Sequence, residues 1–150
     1  MIDIVCPTES DTRALGRRLA SLIRPGDVVL LGGGLGAGKT VFASGVAEGL
    51  GVTEPVLSPT FVLAHYYRGL IDVVHADIYR VGSIGEIEDL DLEFDASAGL
   101  LIVEWGDAAE GHFPDDHLLV RLSADDEEVR TITLIPHGSW KDRSLGEVVP

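Results

Sequence analysis

A glycine-rich segment early in the chain has the residue types of a phosphate-binding loop. The segment from Gly33 to Thr40 reads GGLGAGKT and follows the pattern G-x-x-x-x-G-K-[ST]. Its glycines let the backbone bend closely around phosphate oxygens, Lys39 supplies a cation, and the Thr40 hydroxyl is a suitable Mg²⁺ ligand. The segment follows an apolar run and opens a helical pattern, as the motif requires. The sequence therefore predicts a site for ATP, or a closely related nucleoside triphosphate, with Mg²⁺.

An acidic residue at the end of a second apolar run is a candidate to complete this site. Glu104 follows the apolar residues 100–103. If that run is a strand parallel to the one before the phosphate loop, Glu104 emerges beside the loop, because ligands bind at the carboxyl ends of such strands. The pattern is also compatible with an acid that only meets solvent where a strand ends.

Two further polar segments are candidates of a weaker kind. His75, Asp77 and Tyr79 alternate along the chain, which places them on one face of an extended strand. Asp77 is the stronger functional candidate, since structural hydrogen bonding would account for His75 and Tyr79. Residues 58–61, which read SPTF, are compatible with a mobile segment that senses a terminal phosphate and equally with an ordinary Ser-Pro turn.

The hydrophobic pattern predicts the elements that would hold these residues. Residues 28–31 and 100–103 are fully apolar, as expected for strands buried on both faces of a parallel sheet. The pattern further predicts a strand at 2–5, helices at 10–23, 39–50 and 84–92, and two antiparallel hairpins, 61–67 with 70–76 and 118–122 with 129–135. These elements predict an α/β fold of the P-loop NTPase type, with three layers and a mixed, mainly parallel central sheet that also carries antiparallel hairpins.

Length and composition limit the class of protein. The 150 residues fit one domain, which we place at 1–136, with a loosely ordered C-terminal tail at 137–150. The balance of 25 acidic against 11 basic residues, a net charge of −14, argues against independent nucleic-acid binding, because contact with a phosphate backbone needs clustered Lys and Arg. If the protein serves nucleic acid, we therefore expect another protein to hold that nucleic acid.

The apolar runs, the first residues and the cysteine content together favour a cytoplasmic location. No apolar run approaches the roughly 20 residues of a membrane helix, so we expect no membrane partner. The first residues lack the basic and apolar pattern of a secretory signal, and the single cysteine, Cys6, cannot build a disulfide framework.

Taken together, these motifs resemble the TsaE family, the small ATPases of bacterial tRNA threonylcarbamoyladenosine synthesis. The resemblance extends from Thr12 to Arg130 and rests on four linked motifs in the same order and spacing. They are the phosphate loop, the SPTF segment at 58–61, the pattern H-x-D-x-Y-R at 75–80, and Glu104-Trp105. One departure is Gly34, where the family commonly has an acidic or amide residue.

The resemblance implies a Mg²⁺-dependent ATPase that acts with the partner proteins TsaB and TsaD, which install threonylcarbamoyl on adenosine 37 of tRNAs that read codons beginning with A. Contact with tRNA would be indirect, through the complex. By position, Asp77 and Glu104 are implied to be catalytic, with Asp77 serving the metal or a catalytic water, and Thr40 and Glu104 to be metal ligands. The implied nucleotide-binding residues are Thr12, Gly33, Gly36, Ala37, Gly38, Lys39, Thr40, Val41 and Arg130.

Two other functions stay open on the sequence. A small-molecule kinase would share the phosphate loop, but it would need a basic lid over the transferred phosphoryl group, and basic residues after the loop are sparse. A non-catalytic nucleotide switch would use bound ATP to order residues 58–61 for a partner protein, with hydrolysis incidental.

Overall fold

The computed structural model of the protein describes residues 1–58, 64–78 and 96–150. The predicted helix at 84–92, Tyr79 of the second polar cluster, the arginine that follows it, and all of the SPTF segment after Ser58 lie outside the described residues.

Seven strands form one mixed sheet. In chain order they are β1 (Ile2–Cys6), β2 (Val28–Gly32), β3 (Ala64–Tyr67), β4 (Val73–Asp77), β5 (Leu100–Glu104), β6 (Leu118–Ala124) and β7 (Arg130–Pro136). Across the sheet the order is β1-β7-β6-β2-β5-β4-β3. The adjacent strands β6, β2, β5 and β4 run parallel, whereas β1 with β7, β6 with β7 and β3 with β4 pair antiparallel. The predicted mixed sheet with two antiparallel hairpins is confirmed.

The parallel centre of the sheet brings the candidate acids to one edge. Every residue of β2, β4 and β5 is buried, as the apolar runs predict for strands covered on both faces. Leu31 of β2 lies opposite Glu104 of β5, and Glu104 lies opposite Asp77 of β4. Because parallel strands end at the same edge, the chain after β2 and the two acids are neighbours.

Two helices cover one face of the sheet. Helix α1 (Glu9–Leu19) is capped by Thr8, which exchanges hydrogen bonds with Asp11 as a capping box, and α2 (Lys39–Gly49) packs against it. Helix α1 is shorter than predicted, since a 3₁₀ helix, Ala20–Leu22, continues it. The two helices touch at Gly45, where a Cβ atom would lie 2.0 Å from the carbonyl oxygen of Arg13. This close crossing fixes α1 beside the start of α2.

A third layer covers the opposite face of the sheet. It includes the 3₁₀ helix Gly106–His112, which contacts β2, and the apolar side chain of Phe113. The three-layer arrangement is thus as predicted. No helix in the described part of the chain combines the length and the apolar character needed to cross a membrane.

The C-terminal segment departs from the prediction of a loosely ordered tail. Its residues form two 3₁₀ helices, Gly138–Asp142 and Leu145–Val148, and bury the side chains of Trp140, Leu145 and Val148 in the main core. The Arg143 guanidinium donates to both carboxylate oxygens of Asp27, at 2.5 and 2.8 Å, and lies 4.0 Å from the Trp140 ring centroid. Burial and ion pairing therefore hold a segment that has no helical or strand periodicity in its sequence.

We expect Trp140→Ala to lower the free energy of unfolding by about 3–5 kcal/mol, because it removes a large, fully buried side chain from the core. Urea denaturation followed by circular dichroism measures this loss. Lys141→Ala, at an exposed neighbour, should change stability by less than about 0.5 kcal/mol and serves as the control. Equal small losses in both variants would contradict the packed tail.

Candidate nucleotide-binding site

The phosphate loop joins β2 to α2 through a backbone that depends on glycine. Gly33, Gly36 and Gly38 have positive φ angles of 141°, 74° and 99°, a conformation that side-chain-bearing residues rarely adopt. Gly38 is also the N-cap of α2 and has no side chain to cap the first N–H groups of the helix. An anion can take the place of that cap, because the N-terminus of a helix carries partial positive charge.

Lys39 closes the loop on itself. Its side chain is buried, and its Nζ donates to the carbonyl oxygens of Gly33 and Gly34, both at 2.8 Å. Burial lowers the pKa of Lys39, and the negative charges of Glu104, Asp77 and Asp107 oppose that shift. The ammonium group therefore sits in a poorly hydrated place where incoming phosphate oxygens can replace the two carbonyl oxygens.

The Trp105 ring contacts the same ammonium group. The ring centroid lies 4.0 Å from Lys39 Nζ, a cation–π distance. Trp105 has a φ of 65°, and it is the one non-glycine residue of the described chain with a positive φ. Such a conformation typically costs about 1–3 kcal/mol and is concentrated at functional sites. The strained turn after β5 therefore places the indole ring against Lys39.

Thr40 and Glu104 are in direct contact. The Thr40 hydroxyl lies 3.1 and 3.0 Å from the two carboxylate oxygens of Glu104, and Glu104 is only 4% exposed. His75 Nε2 donates to Glu104 Oε2 at 2.6 Å from the neighbouring strand β4. The two predicted metal ligands thus meet, and His75 holds one of them. Alternation along the strand singles out His75, and the sequence ranks it below Asp77 because structural hydrogen bonding would account for it. The bond to Glu104 is a hydrogen bond of this kind, but the sequence does not show that Glu104 is the partner.

Asp77, Thr12 and Arg130 lie around this centre. Asp77 ends β4 beside Glu104 and is 4% exposed. Thr12 of α1 is buried, and its methyl group lies 3.8 Å from the position that a Cβ atom on Gly38 would occupy. Arg130 Nη2 donates to the Gly36 carbonyl oxygen at 3.0 Å, so the β6–β7 hairpin is tied to the phosphate loop.

These residues surround one cavity of about 600 Å³, which is within the usual size range of small-molecule sites. Among the predicted site residues, Gly33 is the one that does not line the cavity, since it contributes its carbonyl oxygen to Lys39 instead. Leu35 of the phosphate loop, Ser58 of the SPTF segment and Trp105 also line it, as do three acids that no sequence motif had placed at the site, Glu9, Glu127 and Glu128. At Gly34 a Cβ atom would meet no atom within 4 Å, so space for a side chain exists there.

The strand-loop-helix unit on a parallel sheet, with Lys39 and Thr40 at the helix start, defines a protein of the P-loop class. A sequence model of the family described as "Threonylcarbamoyl adenosine biosynthesis protein TsaE" matches residues 6–132. The chain belongs to the TsaE family.

Individual relatives agree with this assignment. The chain is 45% identical over 130 residues to the tRNA threonylcarbamoyladenosine biosynthesis protein TsaE of Streptomyces coelicolor, with 81% of this chain and 88% of that protein covered. It is 40% identical over 129 residues to the protein of the same name from Bacillus subtilis, with 83% and 80% covered. The crystal structure of Bacillus subtilis YdiB superposes with a TM-score of 0.79 at 32% identity, covering 97% of this chain and 91% of that one.

We expect His75→Phe to destabilise the protein by about 1–3 kcal/mol, because a ring of similar size stays while the buried Glu104 carboxylate keeps the Thr40 hydroxyl but loses its imidazole donor. Chemical denaturation at neutral pH measures the change. His65→Phe, on the less buried strand β3, is the matched control and should cost far less. If the two variants lost equal stability, the His75–Glu104 bond would contribute nothing to the fold.

Proposed function

We propose that the protein is a Mg²⁺-dependent ATP hydrolase that serves the formation of threonylcarbamoyladenosine in tRNA. The observation that carries the proposal is the contact of Thr40 with Glu104, at 3.0 and 3.1 Å, directly beside Lys39 at the start of α2. A hydroxyl and a carboxylate that meet at the mouth of a phosphate loop are the ligand pair that a P-loop protein uses for Mg²⁺.

The donor atoms fit this ion and nucleotide. Mg²⁺ prefers hard oxygen ligands, and the half-buried Thr40 and the buried Glu104 offer a hydroxyl and a carboxylate at the cavity. Mg²⁺ bound there would neutralise charge on the phosphate oxygens. Lys39 would exchange two backbone carbonyl oxygens for phosphate oxygens, and the uncapped N-terminus of α2 would hold the phosphates.

For hydrolysis, we assign the positioning of the attacking water to Asp77. Asp77 lies on β4, the neighbour of the strand that carries Glu104, and it lines the cavity. Strand β5 separates β4 from β2, the strand that leads into the phosphate loop. A carboxylate in that place can orient a water beyond the metal ligands, whereas Glu104 lies against Thr40 itself. His75 orients Glu104 and is a positioning residue.

The wider role follows from the names of the relatives and from the charge of the chain. Proteins called tRNA threonylcarbamoyladenosine biosynthesis protein TsaE are 40–45% identical to it. We propose that it works in the cytoplasm with TsaB and TsaD, which modify adenosine 37 of tRNAs reading codons that begin with A. With a net charge of −14, the chain would leave tRNA contact to those partners.

One observation favours a nucleotide-dependent docking switch as a second candidate. Leu35 lies on the phosphate loop at the cavity and is 80% exposed, as an apolar side chain would be at a surface that a partner covers. A kinase has less support, because Lys39 and Arg130 are the basic residues among the described cavity lining, and Glu9, Glu127 and Glu128 surround the same opening.

We expect Lys39→Ala to weaken ATP binding by at least about 100-fold, because it removes two charge-assisted hydrogen bonds to phosphate. Isothermal titration calorimetry with Mg-ATP measures the loss. Lys141→Ala, at an exposed lysine far from the loop in sequence, is the matched control and should bind like the natural chain. Unchanged affinity in Lys39→Ala would disprove the phosphate-site assignment.

We expect substitutions of Glu104 and Asp77 to affect different properties of the protein. Glu104→Gln takes a charged oxygen from Mg²⁺, so Mg²⁺-dependent ATP affinity and hydrolysis should both fall, each by about 10-fold or more. Asp77→Asn should keep most affinity and lose about 100-fold or more in turnover, because water positioning matters mainly in the transition state.

Affinity with and without Mg²⁺, together with turnover in the presence of the partner proteins, distinguishes these outcomes. If Asp77→Asn lost Mg²⁺-dependent binding and Glu104→Gln retained it, the two roles would be exchanged. If neither variant changed turnover, the docking switch would be the better description.

A further inference from the structure

Three metal-binding side chains meet at the edge of the sheet opposite the phosphate loop. Glu110 lies on the 3₁₀ helix Gly106–His112, His117 directly precedes β6, and His137 directly follows β7. Their ligand atoms all lie within 4.8 Å of one another. Because β6 is parallel to β2, the start of β6 is at the far end of the sheet from the loop that follows β2. The cluster is therefore separate from the nucleotide site.

The hydrogen bonds of His117 leave its second nitrogen facing a carboxylate. Nδ1 lies 2.6 Å from the carbonyl oxygen of Pro114, which can only accept, so Nδ1 carries a proton. Nε2 lies 2.7 Å from Glu110 Oε2. If the ring is neutral, Nε2 carries a lone pair that faces the negative carboxylate oxygen. A nitrogen lone pair and a carboxylate oxygen lie 2.7 Å apart only when a cation is between them, and that cation is either a proton or a metal ion. A histidine whose other N–H donates to a backbone carbonyl is the usual form of a metal ligand.

His137 adds a second imidazole to the same carboxylate. Its Nε2 lies 3.4 Å from Glu110 Oε2, and this buried nitrogen has no hydrogen-bond partner. The two imidazole rings stack, with centroids 4.5 Å apart and planes inclined by 30°. The backbone N–H of His137 donates to the carbonyl oxygen of His117 at 3.0 Å, which fixes their spacing.

The distances fit a transition-metal ion. Tetrahedral zinc with bonds of about 2.0–2.1 Å separates its ligand atoms by about 3.3 Å, so the observed 2.7 and 3.4 Å need only small side-chain adjustments. Two imidazoles and one carboxylate favour Zn²⁺ and its neighbours over Mg²⁺, which prefers oxygen ligands. The partial exposure of Glu110 and His137, 33% and 39% of their side chains, lets an ion reach the site from solvent.

We propose that Glu110, His117 and His137 bind one divalent transition-metal ion of the zinc class, with water as the remaining ligand. The ion would join the 3₁₀ helix to the start of β6 and to the beginning of the C-terminal segment. With its ligands on three separate parts of the chain, its effect would be on stability, independent of nucleotide.

The test uses the full chain without a histidine tag, freed of metal by a chelator and without nucleotide. Titration with Zn²⁺ in a calorimeter gives stoichiometry and affinity, and Co²⁺ gives visible absorption bands that report its coordination. We expect one ion per chain, with Mg²⁺ unable to compete. Saturating Zn²⁺, at about 100 times its Kd, should raise the Tm by about 5–10 °C.

His137→Gln should weaken Zn²⁺ binding by about 10-fold or more, reduce the Tm shift at the same Zn²⁺ concentration to about half or less, and leave Mg-ATP affinity unchanged. His112→Gln removes an exposed imidazole of the same 3₁₀ helix that is outside the cluster, and it is the matched control with full affinity. The proposal would be overturned if the natural chain bound no Zn²⁺, or if both variants bound it alike. Because the Zn²⁺ titrations contain no nucleotide, their outcome is separate from that of the ATPase proposal.

Discussion

The parallel pairing of β2 with β5 is the constraint on which the candidate nucleotide site depends. That pairing sets Leu31 opposite Glu104, so the phosphate loop leaves one strand where the acid ends the next. Thr40, at the start of α2, then meets the Glu104 carboxylate at 3.0 and 3.1 Å. A shift of the β5 register by one residue would turn Glu104 to the other face of the sheet, because side chains alternate along a strand. The contact between Thr40 and Glu104 exists only in the observed register.

Hydrogen bonds and a cation–π contact satisfy Lys39 and Glu104, two of the buried polar groups of the site. Lys39, Glu104, Asp77 and His75 are each 5% exposed or less, and an isolated buried charge would be very unfavourable. Glu104 takes hydrogen bonds from Thr40 and His75, while Lys39 is bound by loop carbonyls and the Trp105 ring. Contacts within the protein itself therefore hold Glu104 against Thr40 and Lys39 against the loop.

Two different groups of polar side chains lie at the two ends of the sheet. Oxygen donors and a lysine gather at the carboxyl ends of β2, β4 and β5, whereas Glu110, His117 and His137 gather where β6 begins and β7 ends. The C-terminal segment connects to the second end, since His137 opens it and Arg143 pairs with Asp27 just before β2. Stability at that end and ligand binding at the other can therefore change independently.

The sequence by itself determined the parts of this protein that are encoded locally. The phosphate loop, the buried strands, both hairpins and family membership all follow from short patterns, because backbone conformation and burial leave a periodic or motif signature. Only the tertiary structure decided which side chains contact one another. It places His75 against Glu104 and the Trp105 ring over Lys39. It also buries Trp140, in a segment expected to be loose, and brings Glu110, His117 and His137 together. Each of these contacts joins residues whose meeting depends on strand order and register across the whole sheet, and no local pattern specifies those.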